Sequence, residues 1–340
     1  MTVLQKQKFY SDSFSPSSPN VAVYPPLDSS LNINNNNKKP IQNLKISTAG
    51  VVKLLSEPKP LKAPGPDGIQ STVLKSCADN VDPPLCMIFQ RSLDTGRLPA
   101  DWLEANISAA FKKGDRHDAE NYRPISLTSV PSKILEHAIC RHIFSHRETR
   151  TILTNLDRGF RSGYSCETQL TTTVNDFLTS FGNNRQVDVA VLDFSKAFYM
   201  VPHGKVLHKL LQYGIDGPLH TWLTCLLTER KMQIVPEGSA SAPASVDPEV
   251  PQGTVLGPLL FLCHIHDLPG AVNSQARLLP TIASCTGKST PTRTTISCRR
   301  TSSGLRHGLT PGGCDSMPES VTSSALNRSH PSSTASVTLS

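Results

Sequence analysis

Apolar residues recur with helical and strand periods from about Leu44 to Val272, and neither flank shows such a pattern. The pattern predicts helices at 46–55, 70–79, 82–95, 165–181, 203–213, 218–229 and 255–268. A further helix is predicted from Ser132, as its cap, to about His146. Strands are predicted at 107–111 and 187–192, with a hairpin of 232–235 and 244–250 around Glu237-Gly238. No internal repeat is visible.

The flanks differ from this central part in composition. Residues 1–45 are rich in Ser, Pro and Asn, and residues 281–340 are rich in Ser and Thr and contain no aromatic residue. Segments so poor in apolar bulk cannot offset the entropy lost on ordering. We therefore expect a mostly disordered linker at 1–45, a folded part at 46–272 that is long enough to bury a core, and a disordered tail at 273–340.

The net charge of +7 suits a polyanionic partner, and it equally suits a protein with a generally basic surface. The nine cysteines include no CxxC pair and no Cys/His spacing typical of a metal site. They predict reduced thiols in an intracellular protein, without a choice between nucleus and cytoplasm. No signal peptide or apolar run of membrane length is visible, so no membrane partner is expected.

The predicted strand at 187–192 is almost wholly apolar and ends at Asp193. A carboxylate at the end of a buried strand is costly unless it has a partner. A hard cation such as Mg²⁺ is one suitable partner. The following helical turn is another, if Asp193 acts as its N-cap. The strand alone leaves both interpretations open, and the cap is the commoner arrangement.

Several other sequence blocks help to decide whether Asp193 binds a metal ion or caps a helix. In chain order they are Lys62-Ala63-Pro64-Gly65-Pro66-Asp67-Gly68-Ile69, Asn121-Tyr122-Arg123-Pro124-Ile125-Ser126-Leu127, Gly159-Phe160-Arg161-Ser162-Gly163-Tyr164-Ser165-Cys166, Tyr213-Gly214-Ile215 and Pro251-Gln252-Gly253-Thr254-Val255-Leu256-Gly257-Pro258-Leu259-Leu260-Phe261. Each block alone is weak. In this order and at this spacing, over about 44–272, the chain resembles reverse transcriptases of non-LTR retrotransposons, of the LINE and Jockey-like kind.

The resemblance implies a helix-rich α/β (α+β) fold, with the fingers and part of the palm of a right-hand polymerase. It implies RNA-directed DNA synthesis from deoxynucleoside triphosphates, with an RNA template, a DNA primer and Mg²⁺ or Mn²⁺. Asp193 then matches the first catalytic aspartate, which binds both metals. Phe198 matches the aromatic residue that excludes a ribose 2′-hydroxyl. The oligomeric state stays open.

The same resemblance assigns nucleotide contacts. Gln252 and Gly253 match a turn near the incoming nucleotide and the template. Arg123, with Lys112 or Lys113, matches the basic contacts to the triphosphate. Such roles fit the chemistry, because Arg presents a planar fork to phosphate and Lys presents a point charge. Phosphoryl transfer depends mainly on positioning and charge neutralisation. Without the resemblance, a solvated loop would be the simpler interpretation of the two lysines, and a core position that of Phe198.

Three departures from the family pattern predict loss of activity. Tyr199 stands where a second acid is usual, and His264-Ile265-His266-Asp267-Leu268 replaces Tyr-Ile-Asn-Asp-Leu. No aromatic-Ala-Asp-Asp turn follows Val272. One carboxylate cannot hold two metal ions in register. We therefore expect an inactive fragment, with a nucleic-acid-binding remnant or an unstable pseudogene product as alternatives.

A shift of reading frame accounts for the missing turn. Codons for Leu278-Leu279-Pro280-Thr281-Ile282, read one nucleotide out of frame, can spell Phe-Ala-Asp-Asp. The composition also changes at this position. We therefore expect the tail to be a frameshifted product, and an exon-prediction error or a splice variant is the rival explanation.

Overall fold

The computed structural model describes residues 40–56, 63–118, 121–149, 159–160, 163–193, 201–235, 241–245, 253–268, 275–279, 282–289 and 321–326. Phe198, Gln252 and the predicted Glu237-Gly238 turn lie outside the described residues. So does most of the predicted linker at 1–45.

The described elements alternate between helices and short strands. The helices are α1 (Thr48–Ser56), α2 (Ser71–Ser76), α3 (Ala78–Thr95), α4 (Ala100–Leu103), α5 (Val130–Thr149), α6 (Cys166–Gly182), α7 (His203–Gln212), α8 (Gly217–Thr228) and α9 (Gly257–Ile265). The strands are β1 (Glu104–Phe111), β2 (Tyr122–Thr128), β3 (Gln186–Asp193), β4 (Lys231–Ile234), β5 (Ala244–Ser245), β6 (Gln275–Leu279), β7 (Ile282–Ser289) and β8 (Val321–Leu326). This helix-rich arrangement with small sheets agrees with the predicted α/β class. No described helix is long and apolar enough to cross a membrane.

The chain forms two compact units. The first contains the described residues from 40 to 149 and from 201 to 260, and the second those from 159 to 193 and from 261 to 326. The division falls within α9. Each unit has a four-stranded sheet of its own.

The sheet of the first unit has the strand order β2-β1-β4-β5. β1 pairs with β2 in antiparallel register and with β4 in parallel register. β4 and β5 pair antiparallel, as the predicted hairpin requires. Ile107, Met232 and Ile234 form a buried apolar cluster on this sheet.

Helices provide most of the core of the first unit. Its largest fully buried side chains are Leu55, Phe89, Ile134, Leu135, Ile139, Ile143, Leu210, Ile215, Trp222 and Leu223. The Trp222 indole Nε1–H donates to Ser92 Oγ across 2.9 Å, which joins α8 to α3. α3 ends at Gly96, whose φ of 66° is the left-handed conformation that favours glycine at a helix end.

The start of α5 differs from the predicted one. The helix begins at Val130, and the Ser129 hydroxyl accepts from the Ser132 amide. Ser129 therefore occupies the capping position that was expected at Ser132. Pro131 explains the earlier start, because proline is favoured in the first helical turn, where its missing N–H costs no bond. The Ser132 hydroxyl instead donates to Glu136 Oε1.

The sheet of the second unit has the order β6-β7-β3-β8. All its pairings are antiparallel, and β3 lies between β7 and β8. α6 begins with a capping box, in which Ser165 and Thr168 exchange side-chain to backbone bonds. The Arg277 guanidinium on β6 donates to the Asp176 carboxylate on α6. Two predicted elements, the helix at 165–181 and the strand ending at Asp193, are confirmed here.

The structure differs from the expected disorder at three places within 273–340. Strands β6, β7 and β8 all lie in that segment and pair, directly or through β7, with β3. Thr, Val and Ile suit extended backbone, and an apolar central strand offers hydrogen bonds at both of its edges. Low apolar content therefore did not prevent strand pairing at these residues.

Candidate functional site

Asp193 is the last residue of β3. The strand register pairs it with Ile282, the first residue of β7. β6 and β7 pair antiparallel, and Leu279 at the end of β6 is opposite Ile282 at the start of β7. The backbone of Asp193 therefore lies at the same end of this sheet as Leu279 and Ile282.

Among the described residues of this sheet, β6 and β7 provide none of the carboxylates that a two-metal site requires. The segment from Gln275 to Ser289 contains no Asp or Glu. In the part of the chain that the structure describes, no group of three or more His, Cys, Asp or Glu residues is arranged to hold a metal ion. Hard cations such as Mg²⁺ require several oxygen ligands. The described residues of β6 and β7 therefore add no ligand with which Asp193 could hold a pair of catalytic Mg²⁺ or Mn²⁺ ions.

A second group of candidate residues lies on the β1–β2 hairpin of the first unit. Lys112 and Lys113 directly follow β1, and Arg123 is the second residue of β2. All three are exposed. In the antiparallel register Arg123 is opposite Ala110, and Ile125 is opposite Ser108. Directly opposite residues share a face, so Arg123 and Ile125 extend from one sheet face beside two small residues.

Local contacts order the tip of this hairpin. The Lys112 amide donates to the Asn121 carbonyl across 2.8 Å. The Phe111 and Tyr122 rings meet edge to face at 5.4 Å, and the Arg116 guanidinium lies 5.0 Å from the centre of the Phe111 ring. The His117 amide donates to Asp115 and lowers the pKa of that carboxyl. These local contacts thus hold the backbone from which the basic side chains extend.

Two glycines of the motif blocks pack against β2 and the start of α5. Gly253 has a φ of 110°, and a β-carbon there would lie 2.8 Å from the Ser126 carbonyl oxygen. A β-carbon at Gly65 would lie 2.5 Å from the Ser129 amide nitrogen. Such separations exclude any side chain. The 63–68 loop and the turn at Gly253 therefore both require glycine where they meet the β2–α5 corner.

A buried acid completes this arrangement. The Glu136 side chain on α5 is fully buried, and its Oε2 accepts from the Val255 amide at 2.9 Å and the Leu256 amide at 3.3 Å. Burial raises the pKa of Glu136, and the positive charge of Arg230 together with these amides opposes the rise. Arg230 is itself buried, which lowers its pKa.

Glu136 was not among the predicted site residues. The sequence shows one acid within the apolar stretch Ile134-Leu135-Glu136-His137-Ala138-Ile139. An acid in such surroundings is a signal, because buried carboxyl groups need partners. The partners could not be identified, since Val255 is 119 residues away in the chain.

Comparison with known proteins identifies the family. A profile described as reverse transcriptase (RNA-dependent DNA polymerase) matches residues 111–288, more than half of the chain. The chain belongs to this family. The matched segment of the reverse transcriptase domain extends from the last residue of β1 nearly to the end of β7, and includes Lys112, Arg123 and Asp193.

Curated relatives place the domain among non-LTR retrotransposons. The chain is 31% identical over 220 residues to the RNA-directed DNA polymerase from mobile element jockey of Drosophila melanogaster, covering 64% of this chain and 24% of the relative. It is 31% identical over 209 residues to the probable RNA-directed DNA polymerase from transposon BS of the same species. This match covers 61% of the chain and 23% of the relative. The retrovirus-related Pol polyprotein from type-1 retrotransposable element R2 of Popillia japonica is 26% identical over 221 residues, a match that covers 61% of the chain and 29% of the relative.

These matches confirm the resemblance drawn from the sequence blocks. The chain spans about a quarter of the length of the first two of these relatives. Within the first unit, Gly253 packs against Ser126 of β2, the strand that also carries Arg123. Asp193 belongs to the other unit, and Phe198 and Gln252 lie outside the described residues.

Proposed function

We propose that the described elements are the fingers and part of the palm of a right-hand polymerase. The β1–β2 hairpin, with its exposed basic residues, corresponds to the fingers, and β3 with the β6–β7 hairpin corresponds to the palm. The continuous family match from β1 to β7 supports this assignment.

The activity of this kind of domain is RNA-directed DNA synthesis, in which a primer 3′-hydroxyl attacks a deoxynucleoside triphosphate opposite an RNA template. Arg123, with Lys112 or Lys113, would contact the triphosphate. Gln252 and Gly253 would adjoin the incoming nucleotide, and Phe198 would exclude a ribose 2′-hydroxyl. Asp193 would be a ligand of Mg²⁺ or Mn²⁺. The exposed positions of the three basic residues support these roles.

The present chain, however, does not catalyse this reaction. The observation that carries this proposal is the β6–β7 hairpin, which ends beside Asp193 and contains no carboxylate. Two metal ions held by several carboxylates stabilise both the attacking and the leaving oxygen. A single aspartate cannot hold both ions in register.

A frameshift near codon 278 explains this loss. In the shifted frame the two aspartate codons overlap residues 280–282, and Ile282 is the residue that pairs with Asp193. The fold thus supports the position at which the Asp-Asp pair would stand in an unshifted relative. Sequencing the genomic copy and its transcript tests the idea. If no shifted frame encodes Asp-Asp there, or if a splice junction explains the change, the frameshift is wrong.

Primer extension tests the proposed inactivity. The full chain is incubated with a homopolymer template, a primer, the matching deoxynucleoside triphosphate and Mg²⁺ or Mn²⁺. We expect no incorporation above that of the Asp193→Ala variant. Incorporation by the unaltered chain that Asp193→Ala abolishes would overturn the proposal, and would show that Asp193 is required for catalysis together with ligands from outside the hairpin.

The exposed basic residues on an ordered hairpin favour a second candidate, a nucleic-acid-binding remnant. Binding through phosphate contacts weakens as the salt concentration rises. Salt-dependent binding of template–primer without incorporation would support this function.

Limited proteolysis tests the remaining alternative, an unstable product. A protease-resistant fragment near 44–270 would exclude it.

A further inference from the structure

The turn at residues 253–256 is anchored on three sides. Gly253 packs against the Ser126 backbone of β2. The Thr254 hydroxyl accepts from the Gly257 amide at 3.2 Å, which caps α9 locally. The two amides between these anchors, those of Val255 and Leu256, donate to Glu136. This turn therefore depends on a side chain from a distant helix.

The bonds of Glu136 are all made within the protein interior. The Glu136, Ser132 and Arg230 side chains are buried, at 0%, 1% and 3% exposure respectively. Oε2 accepts from the two turn amides, and Oε1 accepts from the Ser132 hydroxyl. The unpaired amides at the start of a helix form its positive end, where a carboxyl group is favourable. Glu136 thus acts as a cap supplied from outside α9.

The geometry limits how the turn could shift without Glu136. The positive φ of Gly253 and its separation from Ser126 permit one close arrangement against β2. Gln252 is bonded directly to Gly253, and Arg123 lies three residues before Ser126 on the strand that Gly253 touches. Any movement at Val255 would be transmitted along two peptide units to Gly253.

We infer that Glu136 is a positioning residue of the polymerase site, whose buried carboxyl group holds the turn that begins at Gly253 against β2 and so fixes that turn relative to Arg123. This inference rests on the proposed function for its meaning in catalysis. The positioning itself is a property of the folded chain, and it can be measured without nucleotide or nucleic acid.

Hydrogen exchange on the full chain tests the inference. Glu136→Ala removes the acceptor, and Glu136→Gln keeps one oxygen that can accept. Leu135→Ala is the matched control, because Leu135 is the fully buried neighbour on α5 and has no polar atom with which to bond the turn. Exchange rates are compared between peptides that cover 253–257 and peptides that cover β1.

In Glu136→Ala we expect exchange at 253–257 to accelerate by about tenfold or more relative to β1, the effect of losing a buried hydrogen bond to a carboxyl group. Glu136→Gln should show a smaller acceleration at the same peptides. Leu135→Ala should accelerate exchange to a similar extent at 253–257 and in β1.

Two results would overturn the inference. One is the same exchange pattern in Glu136→Ala and Leu135→Ala, which would show that Glu136 only contributes general stability. The other is unchanged exchange at 253–257 in a folded Glu136→Gln or Glu136→Ala chain. If Glu136→Ala fails to fold, the comparison of Glu136→Gln with Leu135→Ala decides. Because no substrate is present, failure of the proposed polymerase function would leave this result unaffected.

Discussion

A β-carbon on Gly253 would lie 2.8 Å from the carbonyl oxygen of Ser126. We therefore expect Gly253→Ala to lower the free energy of unfolding by about 1–3 kcal/mol, since it combines a clash with an unfavourable positive φ. Urea denaturation measures the change. Gly204→Ala is the control, because Gly204 is an exposed helical position with open space around its β-carbon. That variant should be more stable by about 0.5–1 kcal/mol. Equal losses in both variants would contradict the prediction.

The buried position of Glu136 predicts a particular pH dependence. Its pKa is raised mainly by burial, so the native state holds this proton at pH values where the unfolded chain releases it. The free energy of unfolding should therefore fall as the pH rises from the ordinary glutamate pKa of about 4.3 toward the raised pKa. Glu136→Gln cannot titrate and should lack this component.

Urea denaturation of both chains across this pH range measures the difference. Arg230 and Lys133 are the charged groups that lower the pKa of Glu136. An unchanged slope in Glu136→Gln would show that Glu136 titrates alike in the folded and unfolded chains.

The Asp176–Arg277 ion pair predicts a stability effect in the second unit. The Arg277 side chain is 7% exposed and that of Asp176 is 30% exposed. Asp176→Ala should destabilise by roughly 1–3 kcal/mol, less than the ~3–5 kcal/mol lost when a fully buried pair is broken. Asn175→Ala, the exposed neighbour on α6, should change stability by less than about 0.5 kcal/mol.

A double-mutant cycle separates the pair from its surroundings. Asp176→Ala combined with Arg277→Met should lose less stability than the sum of the two single changes, because the double variant leaves no charge without its partner. Thermal and urea unfolding provide the values. Strict additivity would mean that the two side chains contribute independently.

Ser92 and Trp222 offer a spectroscopic test of the first unit. Ser92→Ala removes the acceptor of the buried Trp222 indole N–H and should cost about 1–3 kcal/mol. Urea unfolding followed by tryptophan fluorescence measures it. Ser76→Ala, at an exposed position of α2, is the control. A loss as small as that of Ser76→Ala would show that the indole finds another partner.

The exposed position of Arg123 on β2 predicts how nucleic-acid binding depends on salt concentration. If Arg123 contacts phosphate, Arg123→Gln should weaken template–primer binding and reduce the slope of log affinity against log salt by about 1. Lys75→Gln removes the same charge at an exposed position on α2 and should leave the slope unchanged. Equal effects of both variants would assign the binding to net charge alone.

Much of the fold could be predicted because the signals are local. Ser165 caps its helix through residues three positions away, and the apolar run before Asp193 forms a strand as expected. The start of α5 was predicted less accurately, because Ser129 and Ser132 offer equivalent hydroxyls and Pro131 decides which of them caps the helix. The strands β7 and β8 were missed because both pair with β3, which is remote in sequence from them, and β6 pairs in turn with β7.

The sequence by itself determined the family, the order of the central elements and the absence of the Asp-Asp turn, because motif spacing and composition require no knowledge of contacts. The tertiary structure alone decided that Glu136 meets Val255 and Leu256, that Gly253 packs on Ser126, and that the β6–β7 hairpin ends beside Asp193. These relationships depend on burial and strand register. They arise only when segments distant in the chain compete for the same hydrogen bonds and the same apolar surface.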